Sequence, residues 1–145
     1  MAVVTTKSDL FGVPLDPAKA RGRPIVATFT VANAADDSSG SKYLLGRFPS
    51  ECILDSRTAF QVQNWGFATV NIGTAEDIDA LGTVAKSAGN VYSPIAFGDA
   101  RHGLPLWEAL GLAADPGGEI ELYAHASAGA TGAGSMKGEI HYRYR

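Results

Sequence analysis

The sequence predicts an all-β fold with a single domain, organised as a sandwich or a barrel. Short runs along the chain alternate apolar and polar residues with a period of two, which is typical of strands with one buried face. Apolar residues recur at helical spacing in only two short stretches, and 17 Gly and 7 Pro residues interrupt the regular runs along the chain. The runs amount to about seven or eight strands, as in sandwiches of this size. A length of 145 residues fits one domain with one core.

Charge and composition limit the classes of partner. The net charge is −3 and no block of five like charges occurs, so a basic nucleic-acid surface has no support. No stretch approaches the roughly 18 apolar residues that span a bilayer, and the N-terminus lacks the apolar segment of a signal peptide. The single Cys52 cannot form an internal disulfide. We therefore expect no nucleic-acid partner, no membrane partner and synthesis in the cytoplasm.

Residues 1–24 are predicted to form an extended arm, separate from a β-sandwich domain at 25–145. Three prolines, the last of them Pro24, restrict the backbone and remove hydrogen-bond donors, which disfavours a long helix or a central strand. The arm carries four basic and two acidic residues, a net charge of +2, whereas the middle of the chain is acidic. We expect the basic residues of the arm to contact a partner. They are Lys7, Lys19, Arg21 and Arg23.

The first strands of the domain follow from alternation. The run 25–31 places its apolar residues on one face and threonines on the other. A second strand is predicted at 41–48, where a proline follows, and a longer one at 53–65, in which aromatic and polar residues alternate. Residues 67–72 alternate again after a bend. The last two runs are therefore predicted to pair as a hairpin.

Helical spacing predicts one or two turns at 78–85 and a single short helix at 105–111. Between them, the run 91–97 is predicted to be a strand that Pro94 confines to a sheet edge. The second helix begins at a proline, and Gly111 supplies the left-handed residue that commonly ends a helix. We expect this helix to pack its apolar side chains into the core. Its core-packing residues are Pro105, Leu106, Trp107 and Leu110.

Two amphipathic strands are predicted near the end of the chain, at 119–126 and 137–144. The segment 127–135 between them consists only of Gly, Ala, Ser and Thr. Closing the two strands as a hairpin sets Glu121 opposite His141, and such charged cross-strand pairs help to fix a register. The sequence therefore predicts that these strands are direct neighbours in one sheet.

No catalytic, cofactor or metal site is predicted. The sequence has no Gly-x-Ser-x-Gly elbow and no phosphate-binding loop. We interpret Cys52 as a packed, inert thiol, because free cysteine is among the most buried residue types. His125 and His141 could share a sheet face with Glu121 and Glu139 and hold a divalent cation. We favour the alternative, a solvated polar face.

Three segments carry a resemblance to a known family. They are MAVVTTKS at 1–8, YLLGRFPS at 43–50 and, above all, PLWEALGLAADPG at 105–117. The chain resembles a family of small structural proteins of tailed bacteriophages and prophages that is encoded beside the major capsid protein. The resemblance extends over most of the sequence.

The resemblance implies a capsid decoration protein, also called a cement protein. It implies a β-sandwich of jelly-roll type on the outer surface of the head, made in the cytoplasm of a bacterial host and bridging capsomers. The implied partners are the major capsid protein and further copies of the chain, with a homotrimer over a threefold axis as the expected assembly. The shared motif has the character of a packing motif, so no catalytic residue follows from it.

Other functions fit the same sequence. A carbohydrate-binding β-sandwich would use Trp65, Tyr92 or Tyr123 as an exposed stacking platform. A structural protein of the phage neck or tail would share the resemblance but occupy another place on the particle. A small hydrolase would need titratable side chains that converge in a cleft.

Overall fold

A computed structural model of the chain describes residues 3–8, 24–88 and 91–144. Within them, two β-sheets pack face to face around one apolar core, so the predicted all-β sandwich is confirmed. The strands are β1 (Thr5–Lys7), β2 (Pro24–Asn33), β3 (Lys42–Pro49), β4 (Ile53–Leu54), β5 (Ala59–Gln61), β6 (Thr69–Gly73), β7 (Gly82–Ala85), β8 (Val91–Tyr92), β9 (Glu119–His125) and β10 (Gly134–Arg143). One helix, α1 (Leu106–Ala109), and one 3₁₀ turn (Lys86–Ala88) complete the described elements.

The first sheet has the strand order β1-β3-β9-β6-β7, and the second has β2-β10-β5-β8 with β4 also pairing β10. All pairs are antiparallel except β1 with β3, where Thr5 lies opposite Lys42. The beginning of the predicted arm therefore adds an edge strand to the sandwich. Lys7 lies on this strand, whereas Lys19, Arg21 and Arg23 fall outside the described residues.

The core is built from the inward faces of both sheets. Alternation along β2 buries Phe29 and Val31 and leaves Val26 and the threonines outside, as predicted. Phe29 meets Phe60 of β5 across Gly138, with ring centroids 5.8 Å apart. A Cβ at Gly138 would lie 2.3 Å from Phe29 Cζ, so the missing side chain is what lets the two rings approach.

The predicted hairpin of the last two strands is wrong, because β9 belongs to the first sheet and β10 to the second. The outward face of β9 pairs Glu121 with Arg47 of β3, not with His141. The connection crosses from one sheet to the other and is held by Thr131, whose N–H donates to the Gly66 carbonyl at 2.7 Å. Alternation identifies which face of a strand is buried, but it does not determine which of the two sheets contains the neighbouring strand.

The predicted hairpin over 53–72 is also wrong. The longer run is divided into β4 and β5, with a turn in which the Thr58 N–H donates to the Asp55 carbonyl at 3.0 Å. The chain then crosses between the sheets at Trp65, so β5 and β6 lie in different layers. Trp65 is buried at this crossing and packs against Tyr43 of β3, whereas a surface hairpin turn would leave its side chain exposed.

The predicted helical turns at 78–85 are wrong as well, because β7 occupies the second half of that segment and pairs with β6. Gly82 approaches the hydroxyl of Tyr92 so closely that a Cβ there would lie 1.8 Å from the oxygen. The β-branched Thr83 and Val84 favour the extended backbone that follows. Of the predicted strand at 91–97, the structure forms only the short edge strand β8.

The predicted helix at 105–111 is confirmed as α1. Gly111 has φ of +83°, and the Leu112 N–H donates to the Trp107 carbonyl at 3.0 Å, which ends the helix. Pro105, Leu106 and Leu110 are buried as expected. Trp107 is only half-buried, which corrects its predicted place inside the core. In so short a helix, the spacing of three and four residues places Leu106, Ala109 and Leu110 on the inner face and Trp107 beside it.

Candidate functional site

Two of the segments singled out in the sequence, 43–50 and 105–117, lie against each other. The N–H of Leu106 donates to the carbonyl of Cys52 at 2.7 Å, and the N–H of Trp107 donates to that of Ser50 at 3.1 Å. An isolated β-bridge joins Pro105 to Ile53. The helix end and the strand end therefore form one packed unit built from backbone hydrogen bonds and buried apolar side chains.

Cys52 lies inside this unit. Its side chain is fully buried, and burial raises the pKa of its thiol to about 12. A thiol with such a pKa is not a nucleophile at neutral pH. The interpretation of Cys52 as a packed residue is confirmed.

The aromatic platform proposed for carbohydrate binding is not formed by its predicted residues. Trp65 is only 1% exposed and packs edge-on against Tyr43, with ring centroids 5.0 Å apart. Tyr123 is buried, and Tyr92 is half-buried with its hydroxyl directed at Gly82. None of the three presents an open face on which a sugar ring could stack.

The two histidines considered as metal ligands lie in different sheets. His125 Nε2 is 2.7 Å from the carbonyl of Thr74, and His141 Nε2 is 3.1 Å from Glu139 Oε2. Within the described ranges, no group of three or more His, Cys, Asp or Glu side chains has the arrangement to hold a metal ion. Burial lowers the pKa of His125, opposed in part by its hydrogen bond to Thr74, and nearby Lys42 lowers it further.

Asp37, which the sequence places in a polar loop, is a buried structural group. Its Oδ2 accepts hydrogen bonds from the N–H of Ala34 at 3.0 Å and from the hydroxyl of Tyr43. Burial and the contact with Asp37 both raise the pKa of Tyr43 above its ordinary value. The pair closes the turn that joins β2 to β3.

An exposed phenylalanine lies after β8, on a loop that hydrogen bonds of an arginine side chain hold in place. Phe97 is 85% exposed, and its ring contacts His102 with centroids 5.4 Å apart. Arg101 holds the loop by donating from Nη1 to the Leu81 carbonyl at 2.7 Å and from Nη2 to the Pro94 carbonyl at 2.6 Å. The sequence does not reveal this loop, because Phe97 completes an apolar run that is typical of a strand.

A groove of about 450 Å³ lies on the outer face of the second sheet. It lies over the short side chain of Ala59, and its other outward side chains include those of Thr28, Thr30 and Gln61. Lys137 and Glu139 are exposed on its rim, and the strongly exposed Val91 closes one end. The groove therefore has a mixed polar and apolar lining, with one charge of each sign.

A second groove, of about 460 Å³, lies between β9 and the loops at 74–77 and 110–116. Its apolar floor includes Leu110 and Ile120, and four carboxylates line it. One of them, Glu121, is paired with Arg47 at 3.2 Å. This groove presents negative charge, as expected from the acidic middle of the sequence.

No helix in the described part of the chain has the length and hydropathy to cross a membrane. Comparison of the chain with protein-family models, curated proteins and solved structures finds no match.

Proposed function

We propose that the chain is a capsid decoration protein of a tailed phage or prophage. It binds the outer surface of the head shell, bridges neighbouring capsomers and thereby stabilises the shell. The major capsid protein is its partner, and copies of the chain associate with one another as a homotrimer. The stabilisation comes from the area of contact between the protein and the shell and involves no chemical step.

One observation supports this proposal above the others. The segments at 43–50 and 105–117, which carry part of the resemblance, meet through the hydrogen bond from the Trp107 N–H to the Ser50 carbonyl, and the Leu106 N–H bonds to the buried Cys52 just beyond the first segment. A motif that is shared because it maintains a fold is expected to lie in such a packed unit. A motif shared for catalysis would instead place titratable groups in a cleft.

The distribution of charge agrees with binding through the arm. The arm has a net charge of +2, and the groove beside β9 presents Glu76, Asp77 and Glu119. A basic segment can meet acidic surface on the capsid or on an adjacent copy. A proline-restricted segment also loses less entropy on binding than a fully flexible one. Repetition over a lattice then multiplies a modest single contact through avidity.

Binding to heads tests the proposal. Purified protein is mixed with expanded heads that lack it, from the phage or prophage that encodes the chain, and the particles are sedimented. We expect saturable binding and a higher disruption temperature of the heads. Failure to bind heads that bind an established decoration protein of the same particle would overturn the proposal.

A charge variant tests the role of the arm in the full-length chain. Replacing Lys19, Arg21 and Arg23 by Gln should weaken head binding and lower its dependence on salt. The matched control replaces Arg47, Arg57 and Arg143, three exposed cations of the domain, by Gln. Equal binding by the two variants would contradict the arm hypothesis.

Labelling of intact particles separates the head from other locations. An antibody against the protein, detected by gold particles in electron microscopy, should decorate the whole head surface. Label confined to the neck or the tail would replace the decoration role with that of a neck or tail protein.

A further inference from the structure

The groove beside β9 carries negative charge that no described residue neutralises. Glu76, Asp77 and Glu119 line it, are exposed, and form no ion pair within the residues that the structure describes. The fourth carboxylate of the lining, Glu121, is paired with Arg47. A cleft lined by charges of one sign concentrates ligands of the opposite sign, so this groove favours a cationic ligand.

The carboxylates approach the groove from two sides. Glu119 and Glu121 are two residues apart in β9, so both project from the outer face of the first sheet. Burial and the charge of Glu121 raise the pKa of Tyr123 on the same face, and the charge of Glu76 adds to this rise. The carboxylate of Glu76, on the loop that follows β6, therefore lies near the outer face of β9.

Exposed apolar residues lie among these charges. Leu112, which is 39% exposed, and the exposed Pro116 line the groove from the loop that follows α1. Lysine and arginine side chains combine a charged head with a hydrocarbon stem that packs on apolar surface. The lining of the groove therefore suits a basic peptide segment.

A segment with this chemistry occurs in the chain itself. The sequence PAKARGR at 17–23, which we call the basic segment, carries Lys19, Arg21 and Arg23 at intervals of two residues. In an extended chain, alternate residues project to the same side about 6.5–7 Å apart, which is also the spacing of the outward carboxylates on β9. An extended basic segment can therefore set its cations opposite the carboxylates of the groove.

The groove and the basic segment of one molecule do not make this contact in full. Arg23 is bonded to Pro24, which lies opposite Arg143 in the second sheet, whereas the groove opens on the outer face of the first sheet. Stacked sheets lie about 10 Å apart, and the outward side chains add to that distance, so Arg23 of the same molecule does not reach the groove. A second copy can present all three cations.

We propose that copies of the chain associate by placing the basic segment of one copy in the groove between β9 and the loops at 74–77 and 110–116 of the next. The contact joins two different surfaces, so successive copies close into a ring when the rotation between them permits. This inference deepens the self-association in the proposed function and rests on that part of it. Salt should weaken the contact, because exposed ion pairs are screened.

Charge reversals test the two halves of the contact. Glu76→Lys with Glu119→Lys reverses the groove, and Arg21→Glu with Arg23→Glu reverses the basic segment. Measured by analytical ultracentrifugation of the purified full-length protein at low salt, each double variant should self-associate about 10-fold or more weakly than the wild type, because attraction is replaced by repulsion.

The matched control is Asp36→Lys with Glu139→Lys. It changes the net charge as much as the groove reversal does, at exposed carboxylates outside that groove. We expect it to associate like the wild type. Circular dichroism of every variant establishes that it is folded.

A chain that carries both reversals gives the sharpest result. Its groove gains positive charge and its basic segment gains negative charge, so the contact becomes attractive again with the signs exchanged. We expect this chain to associate more tightly than either double variant, whereas changes at two unrelated surfaces would add their losses.

Three outcomes would overturn the inference. They are a wild-type protein that is monomeric at all concentrations at low salt, a groove reversal that associates like the control, and a combined chain that associates no more tightly than the double variants.

Head binding is measured separately. A groove reversal that associates like the wild type but no longer binds heads would show that the groove contacts the shell, which overturns this contact and leaves the decoration role standing. Wild-type protein that associates as expected and ignores heads would do the reverse.

Discussion

The side chain of Asn33 accepts a hydrogen bond from the backbone N–H of Gly66 at 3.1 Å. The same amide donates from Nδ2 to the carbonyl of Gly132 at 2.9 Å. Asn33 ends β2, Gly66 lies where the chain crosses between the sheets, and Gly132 lies in the connection from β9 to β10. One buried side chain therefore links three segments at the same end of the sandwich.

Replacing Asn33 by Ala should destabilise the protein by about 1–3 kcal/mol, because the N–H of Gly66 loses its partner in a buried setting. The free energy of unfolding, measured in urea, provides the test. Asn64→Ala is the matched control, since the side chain of Asn64 is exposed. Equal stability of the two variants would show that the amide does not hold the crossing together.

Replacing Gly138 by Ala should destabilise the protein by about 1–3 kcal/mol through overpacking. The new Cβ would lie 2.3 Å from Phe29 Cζ and 2.9 Å from Phe60 Cδ1, so both rings must move. Thermal unfolding measures the effect. Gly132→Ala is the control, because no heavy atom lies within 4 Å of its Cβ position. A stability of Gly138→Ala like that of Gly132→Ala would contradict the close packing described here.

Replacing Leu106 by Ala should cost about 2–5 kcal/mol, because its side chain is fully buried where α1 meets the strand end at Cys52. Leu112→Ala makes the same chemical change at a position that is 39% exposed and should cost about 1 kcal/mol or less. Denaturant unfolding of both variants gives the comparison. Similar losses of stability at the two sites would mean that Leu106 of α1 does not pack into the core.

Much of the fold could be predicted from the sequence, but the pairing of the strands could not. Alternation reveals which face of β2 and β10 is buried, and the proline and glycine of the short helix mark its ends. A nine-residue loop of small side chains, however, can close a hairpin or cross between sheets. The choice depends on distant partners such as Asn33, which contacts Gly132 across 99 positions of sequence.

The exposed loop at Phe97 and the groove on the second sheet could not be predicted from the sequence either. Phe97 follows an apolar run, and only the hydrogen bonds of Arg101 to Leu81 and Pro94 show that it stands on a turn and not in a strand. The groove likewise depends on β5 lying beside β10, a pairing that local periodicity does not contain. The half-burial of Trp107 was missed for the same reason, since the burial of the two tryptophans follows from the crossing at Trp65 and the short length of α1.

His125 should make stability depend on pH. Burial lowers its pKa in the folded protein below the ordinary value of 6.5, so the unfolded chain binds the proton more tightly. Neutral His125 therefore contributes fully to stability above about pH 6.5. Its contribution declines as the pH falls through the pKa of the unfolded state toward the lower pKa of the folded state.

The free energy of unfolding of His125→Phe, which keeps a ring but cannot titrate, should fall less over this range than that of the wild type. Because the carboxylates are common to both proteins, the difference between the two curves isolates the histidine. Parallel curves for wild type and variant would show that burial beside the Thr74 carbonyl does not lower the pKa of this side chain.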